Sequence, residues 1–230
     1  MGGVNSMASI IENFGGILLT AMGKTLIMAL YGLFFACIIG LIFGILSVLK
    51  NKVCNVIYRL FVDIIRGVPM IVLAFFIYFG IPLAINKVIS GNFTLTALQA
   101  GIVALALNCG AYMAEIIRAG IQSVDIGQME AARSLGMSYG KAMRKVVLPQ
   151  AIRTMVPSII NQFIITLKDT SILSVIGFPE LVNQAKNVVA ITMDAFSVWA
   201  IVAVMYLIAI TILSYSAKLL ERRLNRGRKL

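Results

Sequence analysis

The chain has 230 residues, of which 60% are hydrophobic and 13% charged, with a mean hydropathy of +0.96. A soluble domain is nearer half apolar and a quarter charged, so this composition is that of an integral membrane protein. The net charge of +11 does not argue for nucleic acid, because the basic residues sit in short stretches between apolar runs rather than on one face.

A membrane-crossing helix needs about 20 mostly apolar residues. The opening stretch, residues 1–14, lacks the basic start of a signal peptide. Five apolar segments follow: Leu26–Leu49, Val56–Leu83, Leu95–Ile117, Met155–Ile176 and Ala195–Leu219. They are too long for strands and lack two-residue alternation, which predicts an all-α polytopic protein with five transmembrane helices. Gly40 and Gly44 in the first segment have the spacing that lets helices approach closely, within the subunit or between two copies. Arg66-Gly67-Val68-Pro69 interrupts the second. Asp63 and Arg66 are spaced as a structural ion pair, while Gly67 and Pro69 break the helix and can expose backbone to a solute.

Sixteen of the 20 basic residues fall in three places: Lys50 to Arg66, Arg118 to Arg153, and the tail from Lys218 to Lys229. The positive-inside rule then puts the N-terminus outside and the C-terminus in the cytoplasm, which suits five crossings. No linker divides the chain, so 1–230 reads as a single transmembrane domain with a cytoplasmic loop at 126–150.

That loop predicts a short helix from Gln128 to Leu135, with Met129, Ala132 and Leu135 on one face. Glu130 lies in its first turn, and Gly136 stops it. A second helix runs from Ser138 to Val147, ahead of Pro149. Small Ala131 and Ala132 would let a partner approach.

Two tempting chemistries fall away. Met22-Gly23-Lys24-Thr25 ends like a phosphate-binding loop, but Leu18 stands where the first glycine is needed. The chain has no histidine, and its three cysteines (Cys37, Cys54 and Cys109) have neither metal spacing nor a disulfide framework.

Depth along the helices locates candidate solute contacts. At about 1.5 Å per residue, ten residues reach the middle of a hydrocarbon layer about 30 Å thick. Counting back from Arg118 arrives at Asn108; counting forward from Arg153 arrives at Asn161 and Gln162. Tyr112 lies one turn from Asn108. These amides either hold helices together or line a translocation site, where they would donate to a carboxylate and accept from an ammonium. Lys168 and Asp169 lie further across.

Glu130-Ala131-Ala132, Gly136 and Val146-Val147-Leu148-Pro149 resemble the "EAA" loop of the membrane subunits of ABC importers. The stretches "AYMAEIIRAGIQSVDIGQMEAARSLGM", "LPQAIRTMVPSIINQFIITLKDTSILSVIGF" and "IIRGVPMIVLAFFIYFG" are similar to polar amino-acid uptake permeases, over about residues 15 to 225. Val146 replaces the family's isoleucine, and Val68 its threonine.

The resemblance implies a type I ABC permease fold, with Glu130, Ala131, Ala132, Leu135, Gly136, Leu148 and Pro149 coupling to an ATPase subunit. It also implies a second permease, a copy or a paralogue, and an extracytoplasmic solute-binding protein. ATP and magnesium would belong to the partner ATPase, with no cofactor or metal in this chain; membrane lipid surrounds it and nucleic acid is not a partner. Asn108, Tyr112, Asn161 and Gln162 become candidate substrate contacts. Lys168, Asp169, Arg66, Gly67 and Pro69 become gate or interface candidates. Relatives handling basic amino acids tend to carry a carboxylate at the Gln162 position, so a neutral polar amino acid such as glutamine or cystine fits better. The alternatives are a basic amino-acid permease of the same family and an ion-coupled secondary transporter, for which Asp169 is the only acidic relay candidate at depth. A non-transporting membrane assembly factor is a third, against which the midplane amides count.

Overall fold

The structure, a computed structural model, describes residues 2–49, 51–89 and 91–225, with side chains described for 7–49, 51–89 and 91–219. Lys50 and the tail residues Arg226, Arg228 and Lys229 lie outside the described residues, and Arg222 and Arg223 outside the described side chains. The chain is helical: α1 (Gly2–Val48), α2 (Lys52–Gly67), α3 (Met70–Ile89), α4 (Ala97–Gln122), α5 (Ile126–Ser134), α6 (Tyr139–Ile176), α7 (Leu181–Thr192) and α8 (Ala195–Asn225). Five of these are long and apolar enough to cross a membrane: α1 over Met7–Val48, then α3, α4, α6 and α8 over Ala195–Leu219.

α1 begins well before the expected Leu26. The polar residues along its first half are satisfied within the helix: Asn13 donates to the Ser9 carbonyl at 2.8 Å and Thr20 to that of Gly16 at 2.8 Å. Ile10, Leu18 and Ala21 are buried against Leu181, Ala185 and Val198 of α7 and α8. Leu18 and Thr25 are thus interior helix positions, not parts of a phosphate loop.

α1 and α4 run parallel. A Cβ on Gly40 would come within 2.6 Å of Met113, and one on Gly44 within 2.7 Å of Ile117, the partner lying the same 73 residues further along each time. The glycines therefore serve packing within the chain. Because α1 and α4 run the same way, the segment between them crosses once, in the opposite direction.

That crossing is made in two pieces, which corrects the single second segment. α2 is capped by Asn51, whose Oδ1 accepts from the Val53 N–H at 2.8 Å, and it ends at Gly67. Val68 is extended (φ −100°, ψ 129°), and Pro69 starts α3. α2 is amphipathic: Tyr58 and Val62 are buried, Arg59, Asp63 and Arg66 form one exposed face, and Val53, Val56, Leu60 and Ile64 another. Its start is tied to α4, where Tyr58 donates to Glu115, itself paired with Arg118 at 2.6 Å. Asp63 and Arg66 form no ion pair.

Two π turns sit immediately before prolines. In α3 the turn Phe76–Gly80 ends with the Ile81 N–H on the Phe76 carbonyl, ahead of Pro82; in α6 the turn Met143–Val147 ends with the Leu148 N–H on the Met143 carbonyl, ahead of Pro149. Proline lacks an N–H and collides with the carbonyl four residues back; a widened turn absorbs both effects without breaking the helix. This is why the expected second loop helix does not stand alone. It is the first stretch of α6, which then runs through Leu148–Asp169 and closes in tighter 3₁₀ turns over Thr170–Ile176.

Candidate functional site: a midplane cavity and a loop helix

α4 and α6 pack antiparallel, with Met155 and Ala151 of α6 against Ile117 of α4 at the loop end. This places Asn108 of α4 and Gln162 of α6 at one level. Both are buried, with 9% and 6% of their surface exposed. The break between α2 and α3 arrives at the same level, and the three elements line an open-sided cavity of about 490 Å³. Its walls are Arg66, Gly67, Val68, Pro69 and Met70 from the break, Asn108 and Tyr112 from α4, and Gln162, Ile165 and Asp169 from α6.

The candidates separate by helix face. Asn108, Tyr112 and Gln162 line the cavity, while Asn161, one residue and about 100° away, is exposed on another face. Asp169 lines the cavity; its neighbour Lys168 is exposed elsewhere. Arg66, Gly67 and Pro69 all reach it, and the Arg66 guanidinium lies 4.8 Å from the centre of the Tyr112 ring. The Asn108 side chain makes no hydrogen bond to another protein group among the described residues. One wall of the cavity is thus an amide pair, flanked by a cation and a carboxylate.

The second candidate region is α5. It starts at Ile126, two residues before the expected Gln128, because the Asp125 carboxylate accepts from the Gly127 N–H at 2.6 Å and caps the helix. Its other end is closed by Gly136 at φ +81°, with the Gly136 N–H on the Arg133 carbonyl at 3.0 Å and the Met137 N–H on that of Ala132 at 3.2 Å. Only a left-handed residue makes this paired closure, hence glycine. Ala132 is buried under the helix. Glu130, Ala131 and Leu135 are exposed, Leu135 to 84%. Leu148 and Pro149 lie apart from this surface, in α6 behind the π turn; Leu148 is half-buried and Pro149 exposed. The Gln150 side chain donates to Gln128 at 3.3 Å and ties α5 to α6.

Two features were not legible beforehand. The Tyr58–Glu115–Arg118 cluster joins residues from separate helices. So does a buried joint around Glu180 at the end of the bundle opposite the loop, where Tyr206 donates to its carboxylate at 3.3 Å.

Apolar crossings around a polar cavity, with a capped helix outside them, are the architecture of a polytopic membrane protein with a path for a polar solute. The chain belongs to the family of binding-protein-dependent transport system inner membrane components, whose model matches residues 32–226. It is 38% identical over 208 residues to the glutamine transport system permease protein GlnP of Escherichia coli K12, covering 90% of this chain and 93% of that protein. It is 37% identical over 203 residues to the probable glutamine ABC transporter permease protein GlnM of Bacillus subtilis, covering 88% and 91%. Among solved structures it matches a chain of an amino acid ABC transporter with histidines, with a TM-score of 0.86 and 35% identity over 94% of this chain and 98% of that one. A chain of the MetNI methionine ABC transporter shares the fold, with a TM-score of 0.77 at 22% identity over 94% and 99%. The protein is therefore a multi-pass inner-membrane permease subunit of an ABC importer for polar amino acids; it is not itself an enzyme, and ATP hydrolysis belongs to a separate subunit.

Proposed function

We propose that this permease carries a neutral polar amino acid, glutamine foremost, through the cavity between α2–α3, α4 and α6. The observation that carries this reading is Asn108, a largely buried residue whose amide opens onto the cavity without a protein partner. An unpaired amide in a membrane protein is costly unless a solute or water meets it. Asn108 and Gln162 hold the solute's polar side chain, Arg66 takes its carboxylate and Asp169 its ammonium. Tyr112 positions Arg66. The glutamine permeases among its relatives support the choice of substrate.

Around this cavity we assign the partners the family uses. A second permease, copy or paralogue, covers α2 around Arg59 and Asp63. An ATPase that holds ATP and magnesium engages α5 through Glu130, Ala131 and Leu135. A solute-binding protein delivers substrate at the opposite end. The basic loops support an orientation with α5 in the cytoplasm and the N-terminus outside.

The test is Gln162→Glu in the reconstituted transporter, with uptake of glutamine and lysine measured side by side. A new carboxylate at this depth shifts preference toward lysine. Unchanged preference would remove Gln162 from the site.

A further inference from the structure

On the loop-remote side of the cavity the bundle is shut by a buried apolar plug: Met28 of α1, Leu73 and Ile77 of α3, Leu105 of α4, and Leu173 and Ile176 of α6. Leu105 lies about one turn beyond Asn108, and Leu173 about one turn beyond Asp169. The α6 contribution comes from the 3₁₀ stretch Thr170–Ile176, which Asp169 opens. A solute arriving from that side cannot pass unless the plug parts, and this stretch is one of its walls.

Besides its apolar packing in the plug, the stretch is tied to α7 by polar contacts. The Asn183 amide donates to the Ser174 carbonyl at 3.2 Å, and the Lys186 ammonium donates to the Ser174 hydroxyl at 2.9 Å. The start of α7 is pinned in turn. Glu180 is fully buried, and its carboxylate accepts from the Val182 N–H at 2.9 Å, the Asn183 N–H at 2.6 Å and the Tyr206 hydroxyl of α8 at 3.3 Å. The Leu181 N–H donates to the Thr25 hydroxyl of α1 at 3.1 Å. Lys186 does not pair with Glu180; among the described residues the ion pair is Arg118–Glu115. A joint of this kind exchanges its hydrogen bonds for water when it parts, so it opens and recloses where an apolar seam would not.

We propose that Lys186 and Glu180 are positioning residues of the transport cycle: they latch the Thr170–Ile176 turn into the plug and release it when that end of the cavity opens to solute. The proposal rests on solute passing through the cavity named above, but not on which face of the membrane the plug meets.

The test uses the complete transporter, with its ATPase and binding protein, in a background where Cys37, Cys54 and Cys109 are alanine. Leu173→Cys reports plug opening through its rate of reaction with a membrane-impermeant maleimide, in right-side-out and in inverted vesicles; Ile176→Cys serves if Leu173→Cys does not assemble. Gly91→Cys, in the exposed loop before α4, marks which face that end meets. Reaction of Gly91→Cys from the cytoplasmic face would correct the orientation and leave the latch to be read from that face. Without substrate the reporter is protected. Lys186→Met raises its labelling about tenfold, the scale of one hydrogen bond to a charged group, and Lys186→Arg restores protection. Glu180→Gln acts in the same direction. Both changes raise ATP hydrolysis in the absence of binding protein while leaving Gln162-dependent preference intact. Unchanged labelling and unchanged basal hydrolysis in both variants, with uptake retained, would overturn the latch; an unchanged preference at Gln162→Glu alone would not.

Discussion

The Arg66 guanidinium lies over the Tyr112 ring, 4.8 Å from its centre, across the break between α2 and α3. Its spacing from Asp63 predicts an ion pair; Arg66 instead lines the cavity over Tyr112. A cation on a ring face is worth about 0.5–2 kcal/mol, depending on how dry the site is. Tyr112→Leu therefore raises the uptake KM about threefold to tenfold, whereas Tyr112→Phe, which keeps the ring, changes it by less than about twofold. Initial-rate uptake in proteoliposomes reads the difference. Equal effects of the two substitutions would mean that the ring does not position Arg66.

Asn108 and Asn161 lie at matching depths in the sequence, yet only Asn108 reaches the cavity. Removing one hydrogen bond to a charged or polar solute costs about 1–3 kcal/mol. Asn108→Ala is expected to reduce kcat/KM for uptake by about tenfold, and Asn161→Ala by less than about twofold. A large loss at Asn161 would show that its exposed face meets a second permease or the solute by another route.

This pair also shows how far the sequence could be read. Hydropathy and the ten-residue count set depth, so Asn108, Tyr112 and Gln162 were legible as a level; azimuth was not, because adjacent helix positions differ by about 100° and only packing fixes which one faces inward. The glycine spacing was legible and its partner was not: Gly40 and Gly44 fit α4 of the same chain. The extent of α1 and the fusion of Ser138–Val147 into α6 escaped for local reasons. Polar side chains bond their own helix backbone in the first case, and a π turn absorbs Pro149 in the second. The Glu180 joint draws on Thr25, Ser174 and Tyr206, far apart in the chain, and no local pattern announces it.

Gly44 separates packing within the chain from contact between copies. A methyl group there meets Ile117 at 2.7 Å, and larger side chains force α1 and α4 apart. Overpacking of this kind costs about 1–3 kcal/mol. Gly44→Val lowers the unfolding temperature of the purified permease in detergent and leaves the oligomeric state of the folded fraction unchanged. A shift in oligomer size without loss of thermal stability would place Gly44 at a subunit interface.

Leu135 is exposed to 84% at the end of α5, beside the left-handed Gly136. A large apolar side chain held out by a rigid cap is suited to a hydrophobic pocket on another protein. Leu135→Asp is expected to abolish co-purification of the ATPase with no change in thermal stability, since its side chain is largely free of contacts with the described residues. Gly136→Ala places a Cβ in the left-handed region at a cost of about 1–2 kcal/mol and weakens coupling through the helix end instead. Retention of the ATPase by Leu135→Asp would move the contact to another face.

Glu180 gives a signed pH dependence. Burial pushes its carboxyl above the ordinary value, although the Val182 and Asn183 N–H groups and the Tyr206 hydroxyl pull the other way. An acid whose folded pKa is raised binds more protons folded than unfolded. Its contribution is full below the ordinary carboxylate pKa of about 4.3 and is lost as pH rises through the folded value. The difference in unfolding temperature between the parent protein and Glu180→Gln, which cannot ionise, therefore moves in the parent's favour as pH falls from 7 toward about 4.5. Other carboxylates titrate in both proteins and cancel in the difference. A pH-independent difference would mean that Glu180 keeps its ordinary pKa in the folded joint.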